Sequence, residues 1–379
     1  MSKDNRYSIA PVLFLGIMQS LKKAWSMFRV IFLFFGLLFF GFIQPPEPFE
    51  DLSEISMLSF EEMMGKETSS WKYLQKKCDF ELCQFYKDIF EKKRHLHLQP
   101  SENYKIPKII HFIWLGPKAF PPQSVSNIRS WIEKHPDWVV KFWTDKVRPP
   151  PCKEMQLCLI ENFQFKKLKE CYESSDNWGE KSDLLRFEIL LQEGGVYTDH
   201  DSNCLHPFDD FHKAYDFYGC LEQPHIAIEG FTITAGNGLL AAKKNHPIIQ
   251  ESLNQVVDRW DFVQKMYPLN EKIHKMKRVQ AGAYMALNLA LHKKLENSSL
   301  DDIVFPASYF FASEKIPSIY SQHFYQASWA KPYLETNFQK ITLKKVSTIK
   351  KKFHALFVLG SSFFASFLCF SLFLKRKIK

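Results

Sequence analysis

The sequence predicts an α/β fold, one Rossmann-like and mostly parallel sheet, with membrane helices at its termini. Strand-like runs alternate with helix-like runs from residue 109 to residue 199, which is the pattern of parallel strands joined by helical crossovers. The last of these strands ends in two aspartates separated by one residue, the kind of chemistry such sheets carry at their carboxyl ends. Uncharged apolar runs near both ends of the chain predict the membrane segments.

Residues 30–43 are apolar throughout and preceded by Lys22, Lys23 and Arg29; residues 24–28 lengthen the run if Arg29 snorkels to the interface. No small-x-small cleavage site follows, since the chain passes straight into Gln44-Pro45-Pro46-Glu47-Pro48, so segment 1–44 reads as an uncleaved anchor. In segment 45–103, Trp71, Leu74, Cys78, Leu82, Phe85 and Ile89 recur at helical spacing and predict a helical stalk or cap.

Segment 104–335 is the expected catalytic domain. It opens with a strand at 109–115, followed by a helix at 124–134, a strand at 139–144, helices through Cys171 and Leu191, and a strand at 196–199. Pro149, Pro150 and Pro151 mark a loop inside it. On the helix through Leu191, Asp183 and Arg186 are three apart and share a face, while Leu184, Leu185, Ile189, Leu190 and Leu191 supply the apolar remainder. Gly194 and Gly195 end that helix. Val196 and Tyr197 favour a strand, and alternation predicts Asp199 and Asp201 on one side of an extended chain, with His200 pointing into the sheet. Two hard oxygen ligands at that place suit Mg²⁺ or Mn²⁺ shared with a substrate diphosphate.

Segment 336–379 joins a basic linker to twenty uncharged residues, 355–374, bounded by Lys350-Lys351-Lys352 and Lys375-Arg376-Lys377. A helix of that length spans roughly 30 Å, the thickness of a bilayer's hydrocarbon core. The net charge of +9 comes from this end: residues 340–379 hold ten Lys or Arg and no acid, leaving the rest of the chain nearly neutral. Cations beside a hydrophobic tail fit lipid headgroups, and the balance argues against a nucleic-acid groove. The eight cysteines form no repeated C-x-x-C pairs; Cys78 and Cys83 with His95 and His97 have poor spacing for zinc, so reduced thiols or an occasional disulfide are expected.

Ser182 to Phe208 (SDLLRFEILLQEGGVYTDHDSNCLHPF) resembles the DXD region of the sugar-transferring family that includes fungal α-mannosyltransferases, inositol phosphoceramide mannosyltransferases and α1,4-galactosyl- and N-acetylglucosaminyltransferases. More distantly it is similar to the catalytic domain of the large glucosylating toxins. Three further stretches resemble the family in its own order: IPKIIHFIWLG at 106–116, NGLLAA at 237–242 followed by His246-Pro247, and the stretch from His323 to Ser328-Trp329. Around Gln280-Ala281-Gly282-Ala283 the family commonly has Gly-Pro; the proline is absent here, which bears on the acceptor side.

The resemblance implies a nucleotide-sugar transferase (GT-A type) fold and a metal-dependent, retaining hexosyl transfer from a UDP- or GDP-sugar to a lipid, glycan or protein hydroxyl. It implies Asp199 and Asp201 as metal and ribose contacts, with His323 assisting at the metal, and Asp183 and Arg186 as the pair that grips the sugar hydroxyls. Trp114 resembles the aromatic lid on the nucleobase, although a tryptophan in an apolar strand also serves as plain core. Tyr197 and Asn237 line the same pocket, and Ser328 and Trp329 face the β-phosphate. No glutamate stands at a spacing that marks it as a nucleophile, so same-face attack by the acceptor, with the leaving phosphate as base, is expected. Two other readings compete: a membrane-tethered protein that binds a nucleotide sugar without turnover, and a metal-dependent phosphodiesterase, which needs more carboxylate and histidine ligands than Asp199-His200-Asp201 supplies.

Overall fold

The computed structural model describes residues 58–269, 271–311 and 318–326. Both expected membrane segments, and Ser328 and Trp329, lie outside the described residues. Among the described residues no helix is long and apolar enough to cross a membrane.

Two helices precede the sheet, α1 (Phe60–Met63) and α2 (Lys77–Lys93). Ser59 and Glu62 form a capping box that starts α1, each side chain bonding the other's backbone N–H. The buried face of α2, through Leu82, Tyr86 and Phe90, joins the same core as the sheet rather than standing apart from it. The domain continues β1 (Ile109–Trp114), α3 (Ser124–Lys134), β2 (Val139–Thr144), β3 (Gln156–Leu159), α4 (Lys169–Ser174), α5 (Trp178–Glu193) and β4 (Gly195–Thr198). These match the expected alternation closely. After them come β5 (Ser202–Cys204), α6 (Asp209–Ala214), β6 (Phe217–Leu221), β7 (Ala235–Ala242), α7 (Pro247–Met266), α8 (Lys272–Val279), a π turn (Gln280–Tyr284), α9 (Met285–Lys294), β8 (Asp302–Phe305) and β9 (Ser321–His323).

Seven strands form the central sheet in the order β3-β2-β1-β4-β7-β6-β8. β1 runs parallel to β2 and β4, β2 to β3, and β6 to β8; β7 alone is antiparallel, paired between β4 and β6. The sheet is therefore mostly parallel, as expected. Since β4 and β6 both oppose β7, the carboxyl ends of β1, β4 and β6 all open on one edge. In α/β sheets that edge is where ligands collect.

Helix α5 is buried from Gly179 through Leu191 apart from Lys181 and Ser182, so it has no solvent stripe to make it amphipathic. Its Glu188 is fully buried and accepts from three successive backbone N–H groups, Lys166, Lys167 and Leu168, at 2.6–2.8 Å. A buried carboxylate survives because those donors replace water. Gly194 and Gly195 end the helix at φ 68° and 94°. A Cβ on Gly195 would stand 2.5 Å from the Ile109 carbonyl oxygen, so only glycine lets β4 lie against β1 here. Beneath the junction, Trp143 Nε1 donates to His111 Nδ1, which leaves His111 Nε2 as the donor to the Gly194 carbonyl at 2.8 Å. Burial pushes the His111 pKa down to about 4, with that backbone bond opposing, and the ring stays neutral.

Candidate functional site

β4 delivers Asp199 to the open edge. Its last ladder bond is Asp199 N–H to Gly238 O on β7, at 2.9 Å. The chain then turns, with Ser202 N–H returning to Asp199 O, and Asp201 closes the turn. The two carboxylates thus converge through a turn and not through strand alternation, because pairing ends at Thr198. His200, between the two aspartates, packs beside the end of β1. It pairs through Nδ1 with Ser124 Oγ at 2.8 Å and sets its ring edge-on to Trp114, at the end of β1, and to Phe120.

A short antiparallel ribbon brings in a third group from far along the sequence. β5 pairs with β9 in the register Ser202↔His323, so the residue after Asp201 faces His323 directly. Phe324 N–H bonds Asp201 O at 2.9 Å, and Gln326 N–H bonds Asp201 Oδ2 at 2.6 Å. His323 Nε2 then lies 3.2 Å from Asp201 Oδ1 and 3.6 Å from Asp199 Oδ2. One ligand atom from each of the three side chains falls within 4.8 Å of the others.

The electrostatics follow from that crowding. Burial works against the His323 imidazolium, but the two carboxylates outweigh it and push its pKa up to about 10. Burial likewise opposes ionisation of Asp199 and Asp201, yet Arg186 and His323 for the first, and His323 with the Gln326 N–H for the second, hold both below the usual carboxylate range. His323 Nε2 is buried without an aligned hydrogen bond to either carboxylate. Two oxygens and an unsatisfied imidazole nitrogen converging on one point fit a divalent cation such as Mn²⁺ or Mg²⁺.

Gly238 makes room for the Asp199 and His323 side chains. A Cβ there would stand 3.0 Å from Asp199 Oδ2 and 3.7 Å from His323 Nε2. Nothing in the composition singles it out, although a glycine inside an apolar strand signals a close approach of other atoms.

Behind the trio, Arg186 ties α5, β4 and β7 together. Its Nη2 is 2.6 Å from Asp183 Oδ1 and 3.6 Å from Asp199 Oδ1, Nη1 donates to the Asn237 carbonyl, and its guanidinium lies 4.2 Å from the centroid of the Tyr197 ring. Tyr197 OH in turn donates to Asp199 Oδ1. Arg186 is only 4% exposed, so the Asp183–Arg186 pair is not a solvated surface pair. Burial raises the Asp183 pKa to about 6 against the pull of Arg186. Asp183 Oδ2, Arg186 Nε and Asn237 Nδ2 are buried without a hydrogen-bond partner among the described residues. Buried polar atoms normally have a partner, so these three mark a place where a ligand's polar groups would fit. Trp114 is largely buried beside the turn, with Nε1 donating to Lys118 O at 2.9 Å and its ring 5.0 Å from that of His200.

Fold and site together define an α/β domain whose strand ends present a carboxylate–carboxylate–imidazole cluster that could hold a cation, beside unsatisfied polar groups. Residues 121–218 match the family described as glycosyltransferase sugar-binding region containing DXD motif. This stretch contains Asp183, Arg186, Tyr197, Asp199 and Asp201. Over 168 residues the chain is 33% identical to Subversion of eukaryotic traffic protein A of Legionella pneumophila, covering 40% of this chain and 25% of that protein. Over 160 residues it is 26% identical to Inositol phosphoceramide mannosyltransferase 1 of Schizosaccharomyces pombe, covering 41% of this chain and 44% of that protein. The chain thus spans less than half the length of these curated relatives. Among solved structures, PaToxG Glycosyltransferase aligns at 18% identity and a TM-score of 0.38, covering 55% of this chain and 76% of that one.

Proposed function

We propose that this protein is a membrane-anchored, metal-dependent glycosyltransferase that moves a hexose from a UDP- or GDP-sugar to a hydroxyl on a lipid, glycan or protein, with retention at the anomeric carbon. The convergence of Asp199, Asp201 and His323 at the carboxyl end of β4, inside and beside the matched sugar-binding region, carries the reading. Those three side chains would hold Mn²⁺ or Mg²⁺, which supplies charge neutralisation for a departing diphosphate. Asp183, Arg186, Tyr197 and Asn237 bind and orient the sugar, and Arg186 keeps Asp199 ionised and aimed. Trp114 covers the nucleobase, and Ser328 and Trp329, which lie outside the described residues, are the expected donors to the β-phosphate. With the leaving phosphate as base, the acceptor attacks from the face it leaves. A relative named as an inositol phosphoceramide mannosyltransferase makes GDP-mannose the first donor to try and a lipid the first acceptor.

The test is a donor screen on purified protein: Mn²⁺, a panel of UDP- and GDP-hexoses, and detection of slow hydrolysis or transfer. EDTA should abolish the reaction and Mn²⁺ restore it. Full activity in metal-free buffer overturns the metal site, and no turnover of any donor overturns the transferase. Anchoring is tested by flotation with lipid after removal of residues 353–379, alone and together with 1–44.

A further inference from the structure

The edge that carries Asp199 and Asp201 carries a further carboxylate. Glu222 follows β6 directly, and β6 points the same way as β4, so Glu222 and Asp199 leave the sheet on the same side with β7 between them. Its backbone is fixed there by the bond from Glu222 N–H to Thr234 O at 2.9 Å. On β7 the residues that a carboxylate overlies are both glycines. A Cβ on Gly236 would stand 3.0 Å from Glu222 Oε1, just as one on Gly238 would stand 3.0 Å from Asp199 Oδ2. Residues two apart on a strand share a face and lie about 7 Å apart. The two glycines thus let one carboxylate approach each end of this short stretch of β7, and the Phe311 ring packs over the Gly236 end beside Glu222, 2.9 Å from the same Cβ position.

Glu222 is also held by a built network. His225 Nε2 pairs with Thr234 Oγ1 at 2.7 Å, and Thr234 Oγ1 with Tyr284 OH at 2.5 Å. Tyr284 and His225 are the main polar neighbours of the Glu222 carboxyl, with His323 and Asp199 beyond them. Tyr284 closes the π turn at Gln280–Tyr284, where Gly282 departs from helical geometry at ψ −116° and re-aims the chain. Single π turns inside helices commonly serve to aim a side chain at a site. This is the stretch in which the expected Gly-Pro is missing, and here the kink is made by glycine alone.

We propose that Glu222 binds the transferred hexose, accepting hydrogen bonds from its hydroxyls across β7 from Asp199, with Tyr284 as the residue that positions it. The assignment rests on the transferase reading and adds to it a residue that selects the sugar. A site that accepts from a sugar hydroxyl disfavours the analogue lacking it, because the half-buried carboxylate then loses that donor.

The experiment compares wild type, Glu222→Gln, Glu222→Ala and Tyr284→Phe in the full chain. Calorimetry measures binding of UDP and GDP with Mn²⁺, and turnover is measured with each hexose donor and its deoxy analogues. Nucleoside diphosphate binding should be unchanged in the Glu222 variants, which also shows that they are folded. Donor turnover should fall by about 10²-fold or more, and the wild-type preference for the hexose over one deoxy analogue should disappear in Glu222→Ala. Tyr284→Phe should weaken that preference less. Glu222 variants that keep wild-type turnover and preference overturn this assignment alone. A wild type that neither binds a nucleoside diphosphate nor turns over a donor overturns the transferase reading and this assignment with it.

Discussion

Asp199 Oδ2 lies 3.0 Å from the point where a Cβ on Gly238 would stand, so the candidate cation site is built against a strand that has no side chain at that position. Asp199 N–H also bonds Gly238 O, which ties the carboxylate to the strand it overlies. Gly238→Ala should therefore push Asp199 and His323 off their shared point while the sheet survives, since alanine keeps the backbone bond. Metal affinity should drop by about 10- to 100-fold, the range seen when groups supporting metal ligands are disturbed. Mn²⁺ titration calorimetry on a variant with an unshifted melting temperature checks it. Wild-type affinity in that variant would remove Gly238 from the site.

Asp199→Asn and Asp201→Asn keep volume but remove a charge from the trio. The proteins should fold, and metal-supported turnover should fall about 10²- to 10³-fold, the scale of losing one electrostatic stabiliser of a transition state. Melting temperature and donor turnover measured on the same preparations separate this from misfolding. If both variants turn over like wild type, the two aspartates have no part in the chemistry.

The first half of the domain was legible because each element has a local signal. The periodicity of α3, the β-branched and aromatic runs of β1 and β2, and the glycine pair after α5 all act within a few residues. The second half was not. β6 and β7 are antiparallel neighbours whose pairing depends on sheet-wide register, and no local pattern announces that β7 inserts between β4 and β6. The same distinction divides the site. Asp183, Arg186, Tyr197, Asp199 and Asp201 sit within nineteen residues of one another and carry a motif. His323 arrives through the β5–β9 ribbon, while Gly238 and Glu222 gain meaning only from what crosses the floor of β7. Alternation placed the two aspartates on one side for the wrong reason, because a turn replaces the strand after Thr198.

Arg186→Ala should be costly to stability as well as to activity. The guanidinium is 4% exposed and contacts Asp183, Asn237 O and the Tyr197 ring, so its loss strands a buried carboxylate whose pKa burial already raises to about 6. Breaking a buried pair by removing one partner costs about 3–5 kcal/mol. Arg186→Lys keeps the charge but not the planar fork, and should be intermediate in stability and still poorly active. Denaturant unfolding of the three proteins decides it; a loss in Arg186→Ala of the size expected for an exposed helical pair would mean that the buried contacts carry no net stabilisation.

The His323 shift has a pH signature of definite sign. Its folded pKa, about 10, lies above the ordinary value of 6.5, so in metal-free buffer the ring gains stability from its carboxylate neighbours when protonated. That contribution is fully present below about pH 6.5 and is lost as the pH rises through about 10. The stability difference between wild type and His323→Ala should therefore be largest in mildly acidic, metal-free buffer and shrink steadily toward pH 10. Mn²⁺ should reverse the trend, because the metal takes the neutral ring and competes with the proton, so its apparent affinity should rise with pH over the same window. Thermal unfolding of the two proteins across pH 6 to 10, with EDTA and then with Mn²⁺, tests both signs. A difference that stays flat with pH in EDTA would mean that His323 is not held as the cation between Asp199 and Asp201.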